Sequence, residues 1–398
     1  MKILVVLPRF PYPLTKGDKL RAYHQIEELS KHHQIYLFCV SHKKVPQDDI
    51  DALQPFCKDI KVVKLNRLAC YKNVIANWFA SKSLQMGYWN TAHSKLRYKQ
   101  FEKKVQPDIV YNQMVRTMPL VARSKYPKVM DFQDALSLNA ERSMDYSRGF
   151  WRYILHFEFK MLRSSEYNAF SIFDGLTIIS EYDSEAIPHK KSRTIKIIPN
   201  GVDLNFFNRE RLVPNKTSVS HDLLFCGNLS YDPNINAVAY LINEIMPLVW
   251  QRRPQTTLLI AGTSPKAKVK RLSQHKNITL TGWMEDIRQA YTSAKVFVAP
   301  MQIGSGLQNK LLEAMAMQLP CITTSISNQA LNAEHGKEII IADDRQTFAD
   351  QIIALLDNPS LADTIAQNGN RFVADHHQWA DTVAILDQFL TEKAQQRL

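Results

Sequence analysis

Short apolar runs rich in β-branched residues alternate with longer stretches of helical period along nearly all of the 398 residues, and this alternation narrows the possible folds. Such a pattern gives α/β layers, in which crossover helices cover a parallel sheet. In the first half the expected strands are Lys2–Leu7, Ile35–Val40, Ile60–Leu65, Ile109–Asn112, Lys128–Phe132, Gly175–Ile179 and Ile195–Ile198. Between the first two, Gly17–Lys31 carries Leu20, Tyr23, His24, Ile26 and Leu29 at helical spacing. In the second half the expected strands are Asp222–Cys226, Thr257–Ala261, Ile278–Thr281, Val296–Ala299, Cys321–Thr324 and Glu338–Ile341. Each half reads as its own doubly wound domain, with the joint after Pro199-Asn200-Gly201 and a polar loop, Leu212–Ser220, just beyond it. The expected division is 1–200, 201–375 and a terminal helix over 376–398 that can pack back on the first domain. Ligands of open parallel sheets bind at the C-terminal ends of strands, so chemistry is sought there.

Composition excludes several classes. Apolar residues at 45% and charged residues at 22% describe an ordinary globular chain. A net charge of +12 asks for an acidic partner: a phosphorylated substrate, an anionic membrane surface or nucleic acid. The five cysteines are scattered, with no CxxC pair, which argues against a disulfide scaffold or zinc site and for a reducing compartment. Twelve histidines show no ligand spacing, and the adjacent pairs His32-His33 and His376-His377 point apart on a helix, so no metal is expected. Met1–Pro8 reads as a buried first strand rather than a signal peptide. No stretch approaches the ~18 apolar residues of a membrane span. The expectation is a cytoplasmic protein, soluble or peripheral on a membrane.

The segment richest in chemistry runs from Pro300 to Ala316. A strand ends at Pro300, a loop with Gly304, Ser305 and Gly306 follows, and a helix is expected from near Leu307, with Gln308 and Asn309 in its first turn. Glycines let a backbone approach a ligand, and free N–H groups at a helix start attract phosphate. Lys310 adds a point charge, and Glu313, acceptor-only when ionised, suits sugar or ribose hydroxyls. The structural alternative is a plain crossover helix whose glycines only make a turn.

Here the sequence resembles a known family. Lys310–Pro320 resembles the donor-site helix of the GT-B glycosyltransferases of family 4. Pro199-Asn200-Gly201-Val202-Asp203 with Phe206-Phe207 is similar to that family's interdomain signature. Phe225-Cys226-Gly227-Asn228-Leu229 resembles the first strand and loop of its nucleotide domain, and Thr281-Gly282-Trp283-Met284-Glu285-Asp286 the segment framing the nucleobase. The opening Phe10-Pro11-Tyr12-Pro13 with Lys16–Arg21 is similar to a bacterial branch tied to exopolysaccharide gene clusters.

The resemblance implies two Rossmann-like domains facing across a cleft, and retaining transfer from a nucleotide sugar without a required metal or other cofactor. It places the donor on the second domain, against Gly227, Asn228, Trp283, Met284 and residues 304–310, with Glu313 on the ribose. The acceptor, a cell-surface polysaccharide, lipid-linked sugar or glycolipid, falls to the first domain. Two departures stand out: Ser305 replaces the upstream glutamate of a pair seven residues apart, and Asn228 stands where an arginine is usual. Charge on the leaving group then falls to Lys310, backbone N–H groups and Lys16, Lys19 or Arg21. A second reading is a nucleotide-sugar-binding scaffold or regulator of a polysaccharide pathway.

In the first domain, the loop Lys16-Gly17-Asp18 with Arg21 follows strand one and reads either as an acceptor-side ligand loop or as an ordinary βα turn. Asp131 or Asp134, at the end of a strand, can orient or deprotonate the acceptor hydroxyl, and Asp134 also suits a helix cap. From Tyr71 to Val105 basic residues and aromatics interleave against a single acid, Glu102. That stretch reads as a contact for an anionic leaflet, as a nucleic-acid surface, or as short helices with solvated lysines and buried aromatics. Trp151–Arg163 mixes aromatic and basic residues similarly, and suits a core helix or a surface anchor. With no helix-turn-helix, zinc-finger or RRM signature, nucleic acid is not expected.

Overall fold

Every one of the apolar runs picked out above forms a strand. The computed structural model describes residues 1–145, 147–212, 220–303 and 306–396, and divides into two units: Met1–Pro199 with Trp379–Leu398, and Asn200–Gln378. The expected polar loop at 212–220 falls almost wholly outside the described residues.

In the first unit, β1 (Lys2–Leu7), β2 (Gln34–Ser41), β3 (Cys57–Lys64), β4 (Ile109–Gln113), β5 (Lys128–Asp131), β6 (Gly175–Ile178) and β7 (Lys196–Ile197) form a sheet in the order β3-β2-β1-β4-β5-β6-β7. All its pairings are parallel. The two-residue period sends alternate side chains to opposite faces. Leu4, Val6, Phe38, Val40, Val110 and Met130 enter one core; Ile3, Val5, Leu7, Ile35, Leu37 and Val129 enter the other. Burial on both faces is why the strands are apolar runs rather than alternating ones.

The helix Gly17–Ser30 covers the second core through Ala22, Ile26 and Leu29. The last helix, Trp379–Gln395, returns to the same face with Trp379, Val383, Leu386 and Leu390. The Trp379 ring stacks on His24 at 4.9 Å. The helix before it runs Pro359–His376, so the break in the tail lies at His377-Gln378.

In the second unit, β8 (His221–Cys226), β9 (Leu258–Ala261), β10 (Ile278–Gly282), β11 (Ala294–Ala299), β12 (Cys321–Thr323) and β13 (Ile340–Ile341) are ordered β10-β9-β8-β11-β12-β13, again all parallel. In both sheets the first strand lies inside and the order reverses beside it, which is the topological switch point of a doubly wound sheet. The chain enters and leaves this unit side by side: Val202 N–H donates to the His377 carbonyl at 2.7 Å, and His377 Nδ1 lies 3.0 Å from the Asn200 carbonyl.

All five cysteines are buried free thiols. Burial pushes the Cys57 thiol up to about 12, and those of Cys39, Cys226 and Cys321 higher still. Among the described residues, no helix is long and apolar enough to cross a membrane, and no group of His, Cys, Asp or Glu is placed to hold a metal ion.

Candidate active site

In the second unit the chemistry gathers where β8, β9 and β11 end. Gly227 follows β8 and Gly262 follows β9, and the two backbones are in contact. A Cβ on Gly262, whose φ is +151°, would sit 1.7 Å from the Gly227 carbonyl oxygen. A Cβ on Gly227 would in turn lie 2.7 Å from Asn234 Nδ2. No side chain fits at Gly262, and one at Gly227 would displace Asn234, so the strand ends there are bare backbone. Asn234, on the helix Asp232–Tyr240, donates to the Asn228 carbonyl at 2.9 Å. Asn228 turns its own side chain onto Ser230, accepting from its N–H at 3.0 Å and its hydroxyl at 2.7 Å.

Lys310 closes this corner. Its ammonium donates to Asn234 Oδ1 at 2.5 Å, lies 3.6 Å from the Met301 sulfur and sits 4.9 Å from the Phe225 ring centroid. None of these neighbours is anionic, and among the described residues Lys310 forms no ion pair. Burial lowers its pKa to about 8, with Cys226 and Glu313 opposing. One helical turn on, Glu313 Oε2 accepts the Tyr291 hydroxyl at 2.7 Å. Burial raises its pKa to about 7 against Tyr291 and Lys310. Tyr291 is fully buried, while Glu313 and Lys310 are half-buried and keep one side open. An open, unneutralised ammonium beside bare backbone is a site for an anion.

The helix begins later than expected, at Asn309, because Gln308 is extended (φ −84°, ψ 97°); Lys310 is therefore its second residue rather than a turn inside. Gly306 takes φ +72° and Leu307 is buried. Gly304 and Ser305 lie outside the described residues. Asn309 Oδ1 accepts from Asn200 Nδ2 at 2.9 Å, which ties Pro199-Asn200-Gly201 to the helix start. Trp283 is exposed and Met284 half-buried beyond β10, with no hydrogen bond or ring contact to Lys310 or Glu313. Arg288 anchors that stretch by pairing with Asp286 at 2.6 Å and lying 4.1 Å above the Phe206 ring.

In the first unit the expected loop and acids separate. Lys16 and Gly17 are exposed at the helix start, and Asp18 pairs with Arg9 at 3.0 Å. Arg21 is not at that surface. It is buried, donating to Asp131 Oδ2 at 2.7 Å and to the Pro199 carbonyl at 3.3 Å. Asp131, expected to face a ligand, is wholly buried; the Tyr111 hydroxyl lies 3.0 Å from Oδ2 and the Gln133 N–H 3.1 Å from Oδ1. This pair is internal because an unpaired charge at that depth would cost several kcal/mol.

Asp134 does stay half-exposed, its pKa raised by burial and opposed by its bond from Asn139 Nδ2 at 2.7 Å. It does not cap the following helix, Leu136–Asp145. Buried Glu166 does so instead, accepting the Ser137 N–H at 2.9 Å and its hydroxyl at 2.5 Å. Burial raises Glu166 to about 7 and the neighbouring Asp183 to about 6.

At the ends of β1, β4 and β5 a shallow recess is lined by Arg9, Asp18, Lys19, Gln113, Met114 and Gln133. Met114 and Gln133 sit at φ +66° and +65°, unusual for such side chains and often found at binding sites. Arg116, just past β4, carries a guanidinium whose pKa is lowered by burial and by Arg9. Arg9, Arg116, Asn234 and Tyr291 escaped the sequence reading as site residues. Of these only Asn234 stands beside a local signal, Pro233 in the first turn of its helix.

Residues 220–358 match the family model described as Glycosyl transferases group 1. The chain is a glycosyltransferase. It is 24% identical to an uncharacterized 44.6 kDa protein of the cps region of Klebsiella pneumoniae, over 94% of this chain and 96% of that protein. It is 30% identical over 128 residues to the capsular polysaccharide biosynthesis glycosyltransferase CapM of Staphylococcus aureus, 30% of this chain and 33% of CapM. Anabaena HepE, solved with UDP and glucose, superposes with a TM-score of 0.70 at 15% identity, covering 98% of this chain and 99% of HepE. This glycosyltransferase thus has the GT-B fold, with two parallel-sheet α/β domains and a C-terminal helix.

Proposed function

We propose that this glycosyltransferase moves a sugar from a nucleoside diphosphate sugar, held by the second unit, onto a glycan or lipid-linked acceptor held by the first, in assembly of a cell-surface polysaccharide. The observation that carries the reading is the corner formed by Gly227, Gly262 and Lys310 with Glu313 one turn away. Bare backbone at two strand ends admits a diphosphate, and Lys310 supplies the charge that meets it as it departs. Glu313, accepting on Oε2 from Tyr291, has Oε1 left for a ribose hydroxyl. Asp134, not the buried Asp131, is the first-unit carboxylate open to an acceptor hydroxyl, and the recess lined by Arg9 and Lys19 lies beside its strand.

In this reading the reaction needs no metal and retains the anomeric configuration, as the resemblance to family 4 implies. The cps and capsule proteins among the relatives support the polysaccharide acceptor, and the UDP of HepE makes uracil the first base to try. The protein works in the cytoplasm at the inner face of the membrane. A second reading, a nucleotide-sugar-binding scaffold, draws on Asn228, whose side chain closes on Ser230 where a cation would assist departure.

The test is a thermal-shift titration with nucleoside diphosphates and nucleotide sugars, run alongside Glu313→Ala. A ligand bound only by the folded state raises the melting temperature by mass action. A selective shift that the variant weakens supports the donor site. Binding without turnover of any donor supports the scaffold, and no shift with any nucleotide removes both.

A further inference from the structure

Two helices of the first unit carry exposed apolar side chains on their outer face in addition to those they bury in the core. Along Arg67–Phe79 the side chains turned inward include Asn73 and Asn77, which donate to the Asn90 carbonyl at 3.0 Å and the Ser83 carbonyl at 2.7 Å. The outward stripe is Leu68, Tyr71, Ile75 and Phe79, at i, i+3, i+7 and i+11, each between 58% and 83% exposed. A helix in a globular protein normally presents polar residues on that outer face.

The start of the helix Phe150–Ile172 repeats the pattern, while its later turns bury Leu162 and Ala169 in the core. Its Glu158 is buried, accepting from the Ser83 hydroxyl at 2.6 Å and the Leu84 N–H at 2.7 Å, whereas Phe150, Trp151 and Tyr153 are 60% to 70% exposed. Trp78 joins the two faces, its ring 6.0 Å from Tyr153 and 4.5 Å from Phe157. Around them Arg67, Lys72, Lys82, Arg152 and Lys160 are exposed. The helices Arg67–Phe79 and Leu84–Trp89 hold no acid, and both glutamates of Phe150–Ile172 are buried.

We propose that this joint face of Arg67–Phe79 and the start of Phe150–Ile172 is a docking surface for an anionic phospholipid bilayer. An amphipathic helix with aromatic and aliphatic residues on one side and cations along its edge lies in the headgroup region, apolar side down. Charge decides against a second copy of the chain. A two-fold contact through this face would set Lys72, Lys82 and Arg152 against their own equivalents with no acid to answer them. The rings of Tyr71, Phe79 and Trp151 suit a base or a headgroup layer equally, but the exposed aliphatic Leu68 and Ile75 gain burial only in a bilayer, which favours it over nucleic acid. The surface gives a membrane-linked acceptor its place, and rests on the transfer reading only for that purpose.

The test is flotation of the full chain with vesicles of phosphatidylcholine alone, or of phosphatidylcholine mixed with phosphatidylglycerol. Binding is expected to the mixed vesicles and not to the neutral ones. Phe79→Ser with Trp151→Ser should lower the partition coefficient about tenfold or more, from lost apolar burial. Lys72→Ala and Lys82→Ala should each lower it about fivefold, and added salt should do the same. The uridine diphosphate thermal shift should survive all these changes, which separates failure of docking from failure of the donor site or of folding. Equal binding to both vesicle types, or variants that float like the parent, overturns the proposal. So does self-association that Phe79→Ser abolishes, or retention of unrelated duplex DNA without vesicle binding.

Discussion

The two units build their sites by opposite means. In the second unit the corner is made of backbone: glycines at two strand ends, then one lysine and one glutamate a turn apart on a single helix. In the first the recess is backed by a buried network of side chains drawn from distant elements, with Arg21 and Gln25 of one helix meeting Tyr111, Gln113, Asp131 and Gln133 along and just beyond β4 and β5. A backbone site tolerates chemical change around it but no added atom within it. A side-chain network tolerates small movements but not the loss of one charged member.

The largest expected effect probes the network. Arg21→Met strands Asp131 without its partner and should cost about 3–5 kcal/mol in urea unfolding. Arg21→Met with Asp131→Leu should recover most of it, and a double variant no better than the single would show the pair is not the determinant. Next comes the backbone corner. Gly262→Ala forces a methyl group into the Gly227 carbonyl and should cost about 3 kcal/mol, with loss of any nucleotide-induced thermal shift. An unperturbed melting curve would mean the two strand ends can part.

A third measurement uses pH. Glu166 holds its proton to about 7 when folded, above the ordinary carboxyl range. Its stabilisation is therefore complete below about pH 4.5 and fades as pH rises through 7, by about 3 kcal/mol. Glu166→Gln, neutral throughout, should flatten that part of the stability profile, and an unchanged slope would assign it elsewhere. The smallest effect belongs to Lys310. Because its pKa is about 8, diphosphate binding should weaken several-fold between pH 7 and pH 9. In Lys310→Gln it should be weaker at both and nearly level, which a titration at the two pH values would read directly.

The same contrast explains what the sequence made legible. Strands such as Lys2–Leu7 announce themselves because burial on both faces leaves only apolar residues. The Lys310–Glu313 spacing is visible because one helix sets it. Asp131 misled because its position at a strand end is written in the sequence, whereas the arginine that buries it lies 110 positions away. Glu166 as the cap of the helix Leu136–Asp145 was hidden for the same reason, the contact being tertiary. The stretch from Tyr71 was readable as basic and aromatic, but which rings turn outward depends on where Asn73 and Asn77 find carbonyls.

The cysteines carry a practical consequence. Thiol reagents attack the thiolate, and burial keeps the five native thiols protonated and out of reach. A cysteine introduced at exposed Ser81, beside the outward stripe, would take a maleimide dye far ahead of them. The natural sequence is thus ready for site-specific fluorescence, with no need to strip its own sulfur first.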